Sequence, residues 1–204
     1  MGWICYAEPL ARADMRLFVG IPLPEATRTA LAEACRDIRA ADSGWADEKW
    51  VAAENLHITL AFLGDVPTES IALLARSITS ELGAVRAFDL PLARLEPIPG
   101  ARRASMLWAR YDDPEGRWAA LSLAVHGAAA AIGDATDNRA FKTHVTLARA
   151  RRPRPITENL LGSLHAARDR VPKFVSVLSA TLFSSTLTTA GPRYERLETW
   201  DFPS

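Results

Sequence analysis

One five-residue sequence occurs twice in the chain and sets the strongest limit on how the chain can fold. It reads HITLA at positions 57–61 and HVTLA at positions 144–148. Side chains on a β-strand alternate between its two faces, so the histidine and threonine of each copy point the same way. The aliphatic residues point the other way. Each copy therefore predicts a strand with an apolar back, buried in a core, and a front that carries one imidazole and one hydroxyl.

The surroundings of this sequence repeat as well. A strand–helix–strand–helix–strand order occurs in both halves of the chain; its opening strands begin at 16 and 105, which is 89 positions apart, and its histidines lie 87 apart. Two independent features at nearly one offset predict a duplicated unit. We therefore expect an α+β fold with two pseudo-symmetric lobes. Each lobe would have a small antiparallel sheet with helices on its outer face, and the active-site groove would lie between the lobes.

Residue patterns place the individual elements. Strands are predicted at about 16–21, 56–63, 88–92, 105–111, 141–148 and 194–202, with either one long strand or a strand pair at 174–187. Helices are predicted to begin at Pro24, Thr68, Pro114 and Thr157. Pro91 favours an edge position for its strand. Residues 1–14 are expected to be a disordered tail or an alternative-start extension, and residues 15–204 a single bilobal domain.

Composition narrows the class of protein. The 24 basic and 24 acidic residues balance, so a protein that holds long nucleic acid by neutralising phosphates is not expected. Cys5 and Cys35 alone indicate neither a disulfide framework nor a cysteine-based zinc site. No segment approaches the roughly 20 apolar residues that span a bilayer, and the N-terminus lacks the apolar region of a signal peptide. A cytoplasmic monomer without a membrane partner is expected.

The four front-facing residues suggest a chemistry. Histidine exchanges protons near neutrality, and two histidines that face one substrate allow one to deprotonate a nucleophile while the other protonates a leaving group. A phosphodiester suits this arrangement, with the hydroxyls of Thr59 and Thr146 as donors to its oxygens. Arg149, just past the second strand, adds positive charge. A metal site is not favoured, because neither copy contains another ligand near His57 or His144.

Other polar and aromatic residues have simpler interpretations. A single His-x-Thr is most often structural, and only its recurrence at the repeat offset argues for function. The sequence assigns His126 to a helix surface or boundary, His165 to the end of a polar helix, and Trp108 and Trp118 to the core. For Trp45 and Trp50, burial is favoured over base stacking. The arginine run 151–154 reads as a solvated loop, with contact to a substrate phosphate as the alternative.

With both motifs in view, the sequence resembles the two-histidine (2H) phosphoesterase superfamily, which is defined by two His-x-Thr motifs. Within it, the sequence is most similar to the RNA 2′,3′-cyclic phosphodiesterases, historically called 2′-5′ RNA ligases. The similar segments are RLFVGIPLP at 16–24, ENLHITLAFLG at 54–64, FKTHVTLAR at 141–149 and GPRY at 191–194. Two positions depart from the family pattern: Ala61 replaces a frequent basic residue, and Thr143 replaces a common proline.

The resemblance implies a reaction and a set of roles. It implies hydrolysis of a ribose 2′,3′-cyclic phosphate to a 2′-phosphate without a metal or cofactor, and possible weak 2′-5′ ligation in reverse. By family roles, His57 donates a proton to the departing 3′ oxygen, His144 activates water, and Thr59 and Thr146 hold the phosphate oxygens. The residues themselves do not fix which histidine is the acid. Further substrate contacts are expected from these residues: Arg149, Phe18 and Tyr194.

Several substrates fit the same site. The expected partner is RNA that ends in a 2′,3′-cyclic phosphate, tRNA fragments included, or a cyclic nucleotide. One alternative is a phosphodiesterase for a small nucleotide-derived cyclic phosphate or a 2′-5′ oligoadenylate. Another is a protein that binds RNA ends and has only residual activity.

Overall fold

The computed structural model describes residues 14–130, 142–189 and 191–204. The tail predicted for residues 1–14 lies outside these ranges, except for Asp14, which is the first residue of a strand. The strands are β1 Asp14–Pro22, β2 Lys49–Trp50, β3 His57–Pro67, β4 Phe88–Ile98, β5 Ala104–Tyr111, β6 His144–Arg154, β7 Phe174–Val177, β8 Ser179–Thr188 and β9 Gly191–Asp201. The helices are α1 Glu25–Ala41, α2 Ser43–Ala46, α3 Ile71–Leu82, α4 Arg117–Ala130 and α5 Glu158–Arg168.

The predicted duplication is visible in the elements themselves. Strands β3 and β6 each have 11 residues and begin 87 positions apart. Helices α3 and α5 follow them and also begin 87 positions apart. The α+β fold class is confirmed, and the 174–187 segment is a strand pair.

All strands belong to one curled antiparallel sheet in the order β7-β4-β5-β6-β3-β1-β8-β9, with β2 paired to β6. The two lobes meet at β3 and β6, whose ladder has the single residue pair Ile58 and Val145. Strand β4 from the first half of the chain pairs with β5 in the second lobe, whereas β8 from the end of the chain pairs with β1 in the first. Each lobe therefore contains strands from both halves of the chain.

The helices also pack across the two halves. Helix α1 contacts α5, and α3 contacts α4. The apolar faces of α1 and α5 are buried: Leu31 and Ile38 are 0% exposed, as are Leu160 and Leu164. Helix α4 lies against β3 and α5 lies against β4. This shared core fixes the positions of β3 and β6 relative to one another.

Four sequence-based element predictions are wrong. Strand β4 is not at an edge, because it pairs with β7 over Phe88–Pro91 and with β5 from Leu92 onward. Pro91 lies where the pairing passes from one neighbour to the other, so its missing N–H is tolerated there. Helix α3 begins at Ile71 with Ser70 as its N-cap, not at Thr68.

The third wrong prediction concerns the start of α4. Pro114 was predicted to open this helix, but it begins at Arg117. The Asp113 carboxylate accepts hydrogen bonds from the backbone amides of Trp118 and Ala119 at 3.1 and 3.0 Å. A carboxylate at this place satisfies amides that have no partner inside the helix. The predicted end of the helix at Gly133 lies outside the described residues.

The arginine run is not a loop, because β6 continues through Arg154. Glu48, which is 8% exposed, accepts a hydrogen bond from the Arg151 amide at 2.7 Å. It also forms ion pairs with Arg154 at 3.1 Å and Arg151 at 4.0 Å. These contacts tie both guanidinium groups to the turn before β2, which argues against the alternative that either one contacts a substrate phosphate.

Glu48→Gln tests this interpretation. The change leaves Arg151 and Arg154 without their buried counter-charge, so the free energy of unfolding should fall by about 2 kcal/mol. Urea denaturation measures the loss. The control is Glu33→Gln, which removes an exposed pair with Arg36 and should cost less than about 0.5 kcal/mol. Equal effects of the two changes would contradict a structural role for Glu48.

Candidate active site

The four predicted residues meet at the seam between the two lobes. Strands β3 and β6 are antiparallel and pair only at Ile58 and Val145, both 0% exposed. Side chains on either side of each paired residue project to the opposite face. Because the strands are antiparallel, the histidine of each strand lies on that face beside the threonine of the other strand. The structure therefore brings together the four half-buried residues named by the motifs: His57, Thr59, His144 and Thr146.

Strands β3 and β6 separate on both sides of this pair. Groups from other parts of the chain then provide hydrogen bonds that a longer β3–β6 ladder would have made. Leu60 follows Ile58 by two positions, and its carbonyl accepts a hydrogen bond from the Ser122 hydroxyl at 3.2 Å. The carbonyl of Leu147, its equivalent in the repeat, accepts one from the Val51 amide at 2.9 Å. Buried carbonyls need such partners. Because each strand is satisfied elsewhere, the two can diverge and leave a groove between the lobes.

A β-bulge in β3 changes which side chains face this groove. Thr59 pairs with Gly20 and Ala61 pairs with Val19, so Leu60 is the extra residue. Leu60 and Ala61 are both 0% exposed, although they are consecutive. The alternation is therefore reset after Ala61, as is common for bulges next to functional sites.

Strand β6 contains the same bulge at Leu147, where the register against β5 shifts between Leu107 and Trp108. Strict alternation from Thr146 would turn Arg149 toward the core. The bulge turns it to the front, where it is exposed. Arg149 lies inside β6 and not past its end as predicted. Its guanidinium lies 3.1 Å from the sulfur of Met106 on the neighbouring strand β5, and its positive charge lowers the pKa of both motif histidines.

His57 is held by polar and aromatic contacts. Its Nδ1 lies 2.7 Å from the Asn55 carbonyl, and its Nε2 lies 3.1 Å from Oγ1 of Thr59. The ring centres of Phe18 and Tyr194 lie 4.9 and 5.3 Å from its own. Burial lowers the pKa of His57, and Arg149 lowers it further, against the opposing effect of the Asn55 carbonyl.

His144 has a matching backbone contact and a different aromatic neighbour. Its Nδ1 lies 2.6 Å from the Lys142 carbonyl, and its ring is stacked on Trp108 at 3.6 Å with a 19° tilt. Burial lowers its pKa to about 4, and the Lys142 carbonyl opposes this shift. The positive charges of Arg149, His57 and Arg110 lower the pKa further.

The two backbone contacts determine which nitrogen of each imidazole carries the proton. Carbonyls only accept hydrogen bonds, so Nδ1 of each ring carries the proton and donates to its carbonyl. In the neutral ring, Nε2 is then a lone-pair acceptor, which is the form needed by a general base. Asn55 and Lys142 are 87 positions apart. The repeat therefore presents two equivalent Nε2 atoms on the groove face.

The neighbours of the two histidines break this symmetry. Across from Thr59 lies Gly20, where a Cβ atom would come within 3.2 Å of His57 Cδ2 and of the Phe18 ring. Across from Thr146 lies Trp108, half-buried beneath His144 and not in the core as predicted. The signal was in the sequence, since Trp108 alternates with buried residues and shares a face with Arg110.

Phe183 completes the packing around His57 and was not singled out from the sequence. It stacks on Phe18 at 5.0 Å with a 15° tilt, and Tyr194 meets Phe18 edge-on at 4.9 Å. Phe18 is only 3% exposed, because its ring is covered by His57, Phe183 and Tyr194. Tyr194 is half-buried at the rim. No motif in the sequence linked residue 183 to position 18; only the pairing of β8 with β1 does so.

The remaining sequence predictions have mixed outcomes. Trp45 and Trp118 are buried at 1% and 2% exposure, and the half-buried Trp50 donates its indole N–H to the Trp45 carbonyl at 2.8 Å. His165 is exposed in the last turn of α5, as predicted. His126 is not at the surface, because it is 9% exposed.

Two further observations come from the described ranges. Residues 14–130, 142–189 and 191–204 contain no group of three or more His, Cys, Asp or Glu side chains placed to hold a metal ion. No helix within them is long and apolar enough to cross a membrane.

Comparison with known proteins gives a family. A family model described as "2′-5′ RNA ligase superfamily" matches residues 24–185. An RNA 2′,3′-cyclic phosphodiesterase of Geobacillus stearothermophilus is 32% identical over 151 residues, 74% of this chain and 47% of that protein. Its namesake in Thermus thermophilus is 32% identical over 202 residues, 90% of this chain and 88% of that protein.

A solved structure shows the same architecture. The crystal structure of E. coli LigT complexed with 3′-AMP has a TM-score of 0.65 and 26% identity, covering 94% of this chain and 99% of that one. The chain belongs to the 2′-5′ RNA ligase superfamily, within the two-histidine phosphoesterases. The predicted family membership is thus confirmed, and so, at the level of the family, is the prediction of a cyclic phosphodiesterase.

The electrostatic coupling of the site can be measured directly. Because Arg149 lowers the pKa of both histidines, Arg149→Gln should raise the pKa values of His57 and His144 together. NMR titration of the imidazole resonances measures both. Arg152→Gln is the matched control, because Arg152 is exposed on the same strand and the charges that shift the pKa of the two rings are those of Arg149, Arg110 and His57. Unchanged pKa values in Arg149→Gln would contradict the placement of Arg149 in the groove.

Proposed function

We propose that this protein hydrolyses the 2′,3′-cyclic phosphate at the end of an RNA to a 2′-phosphate, without a metal ion. The observation that carries the proposal is the pair of histidines whose Nδ1 atoms are held by backbone carbonyls. With Nδ1 held in this way, Nε2 of each ring is left for the substrate, and Nε2 of His57 lies 3.1 Å from Oγ1 of Thr59. The names of the curated relatives support the same reaction.

The groove suits an in-line displacement at phosphorus. The hydroxyls of Thr59 and Thr146 donate to the non-bridging oxygens, and Arg149 stabilises the charge that develops on them. Nε2 of His144 takes a proton from water as the water oxygen bonds to phosphorus. The bond from phosphorus to the 3′ oxygen breaks, and protonated His57 gives its proton to that oxygen. The phosphate remains on the 2′ oxygen, and the protons balance over the cycle.

The environments of the histidines support these roles. His144, with a pKa lowered to about 4, is neutral near pH 7 and ready to act as the base. His57 must be protonated to act as the acid, although burial also lowers its pKa. An anionic substrate opposes that shift, because a negative charge beside an imidazole favours its protonated form. We therefore propose that proton uptake by His57 accompanies binding of the cyclic phosphate.

The predicted substrate contacts differ in what they can do. Arg149 is exposed and Tyr194 half-buried at the rim of the groove, so both remain proposed contacts. Phe18, at 3% exposure, has almost no surface for a substrate. We propose that Phe18 instead positions His57, with which it is packed.

The alternatives from the sequence keep the same site. A small cyclic nucleotide or a 2′-5′ oligoadenylate would use the same four groups, and weak 2′-5′ ligation would be the reverse of a related transfer. A protein that only binds RNA ends would not need two groups that exchange protons. Such a protein would bind cyclic-phosphate RNA tightly with negligible turnover.

Turnover in the presence of EDTA tests the proposal. An oligonucleotide with a terminal 2′,3′-cyclic phosphate should be converted to the 2′-phosphate at an unchanged rate when EDTA is added. His57→Ala and His144→Ala should each lower the rate by on the order of 10²–10⁴-fold. The exposed His165→Ala variant is the control and should retain activity. Activity that requires added metal, or that survives either motif substitution, would rule out the proposed mechanism.

A further inference from the structure

A small cavity of about 140 Å³ opens beside His57. It includes Asn55, whose carbonyl holds Nδ1 of His57, but not Thr59, which lies at Nε2. The cavity is therefore on the opposite side of the ring from the proposed phosphate site. Its polar lining consists of Arg28, Glu54, Asn55, His57, Tyr194 and Arg196.

The charged side chains of the cavity and Asn55 come from three separate parts of the chain. Arg28 comes from α1, Glu54 and Asn55 from the turn that precedes β3, and Arg196 from β9. The Asn55 side chain donates to the Pro192 carbonyl at 3.0 Å, which ties the turn to β9. The wall of the cavity is thus fixed by a contact between residues 137 positions apart in the chain.

The charges of the cavity are not used within the protein. Across the described ranges, the paired arginines are Arg36, Arg94, Arg110, Arg151, Arg154, Arg168 and Arg170. None of these ion pairs engages Arg28, Arg196 or Glu54. Arg28 is nevertheless half-buried. Two arginines and one glutamate leave a surplus of one positive charge. Arg196 is exposed. Two guanidinium groups that have no ion-pair partner in the described part of the chain and line one cavity are suited to bind an anion from outside.

We propose that this cavity binds the internal phosphodiester that joins the terminal nucleotide of an RNA substrate to the nucleotide before it. This inference rests on the proposed function, because it needs the cyclic phosphate to lie at the Nε2 side of His57. The next phosphate along the chain then lies past the imidazole, where Arg28 and Arg196 can donate to its oxygens. The enzyme would accordingly favour oligonucleotides over cyclic mononucleotides, which have no second phosphate.

Three substrates separate charge recognition from base recognition. They are a cyclic mononucleotide, a dinucleotide with a terminal cyclic phosphate, and the same dinucleotide with a neutral methylphosphonate in place of its internal linkage. The expected kcat/KM of the dinucleotide is about tenfold above that of the other two. Equal kcat/KM values for the two dinucleotides would overturn the proposal. They would show that the charge of the internal linkage is not recognised and that any preference comes from the second nucleoside.

Variants of the cavity locate the effect. Arg28→Ala and Arg196→Ala should each lower the ratio of dinucleotide to mononucleotide kcat/KM, whereas Arg36→Ala, an exposed change on α1, should leave the ratio unchanged. Glu54→Gln removes a repulsive charge and should raise the ratio about twofold. An equal loss on both substrates in Arg28→Ala, or a lowered ratio in Glu54→Gln, would contradict the proposal.

Hydrolysis of the cyclic mononucleotide allows the proposed function and the cavity proposal to be tested separately. Its hydrolysis tests the proposed function alone, whereas the ratio of the two substrates tests the cavity. If no substrate is turned over, the proposed function fails, and calorimetric binding of dinucleotide and mononucleotide products with a terminal 2′-phosphate still tests the cavity. Tighter binding of the dinucleotide that is lost in Arg28→Ala supports the cavity, and equal binding overturns it.

Discussion

The arrangement of the site depends on the single pair of residues, Ile58 and Val145, at which the two lobes join. One point of contact is enough to set the motif faces side by side, and because the ladder ends there, the strands can part and leave room for a ligand. A longer ladder would close the groove. The shared helical core must therefore hold the lobes together, and it does so by pairing α1 with α5 and α3 with α4 across the two halves of the chain.

Equivalent bulges in β3 and β6 determine which side chains face the groove. Each resets the alternation, so the residue three positions after the motif threonine returns to the front. In β3 this residue is Phe62, which is 42% exposed, and in β6 it is the charged Arg149. The repeat therefore supplies two similar proton-transfer groups, while equivalent positions beside them hold an aromatic ring in one lobe and a positive charge in the other.

Much of this could be predicted from the sequence, and the failures have physical causes. The repeat offset and the His-x-Thr alternation gave the strands, the duplication and the grouping of His57 with His144. Alternation could not place Arg149, because a bulge leaves no signal in a five-residue motif. It also could not show that Glu48 neutralises the arginines of β6, since that contact joins residues more than 100 positions apart. The core position predicted for Trp108 is wrong because it rests on the apolar character of tryptophan and not on the strand face that Trp108 shares with Arg110.

The central claim is that His57 and His144 serve one anion in a common groove. The most direct measurement is an NMR titration of the imidazole resonances of both residues with inorganic phosphate at fixed pH. We expect both rings to shift along one saturation curve with the same dissociation constant, and both shifts to disappear in a Thr59→Ala, Thr146→Ala double variant. A shift in only one ring, or two different dissociation constants, would show that the histidines act on separate ligands and would contradict the claim.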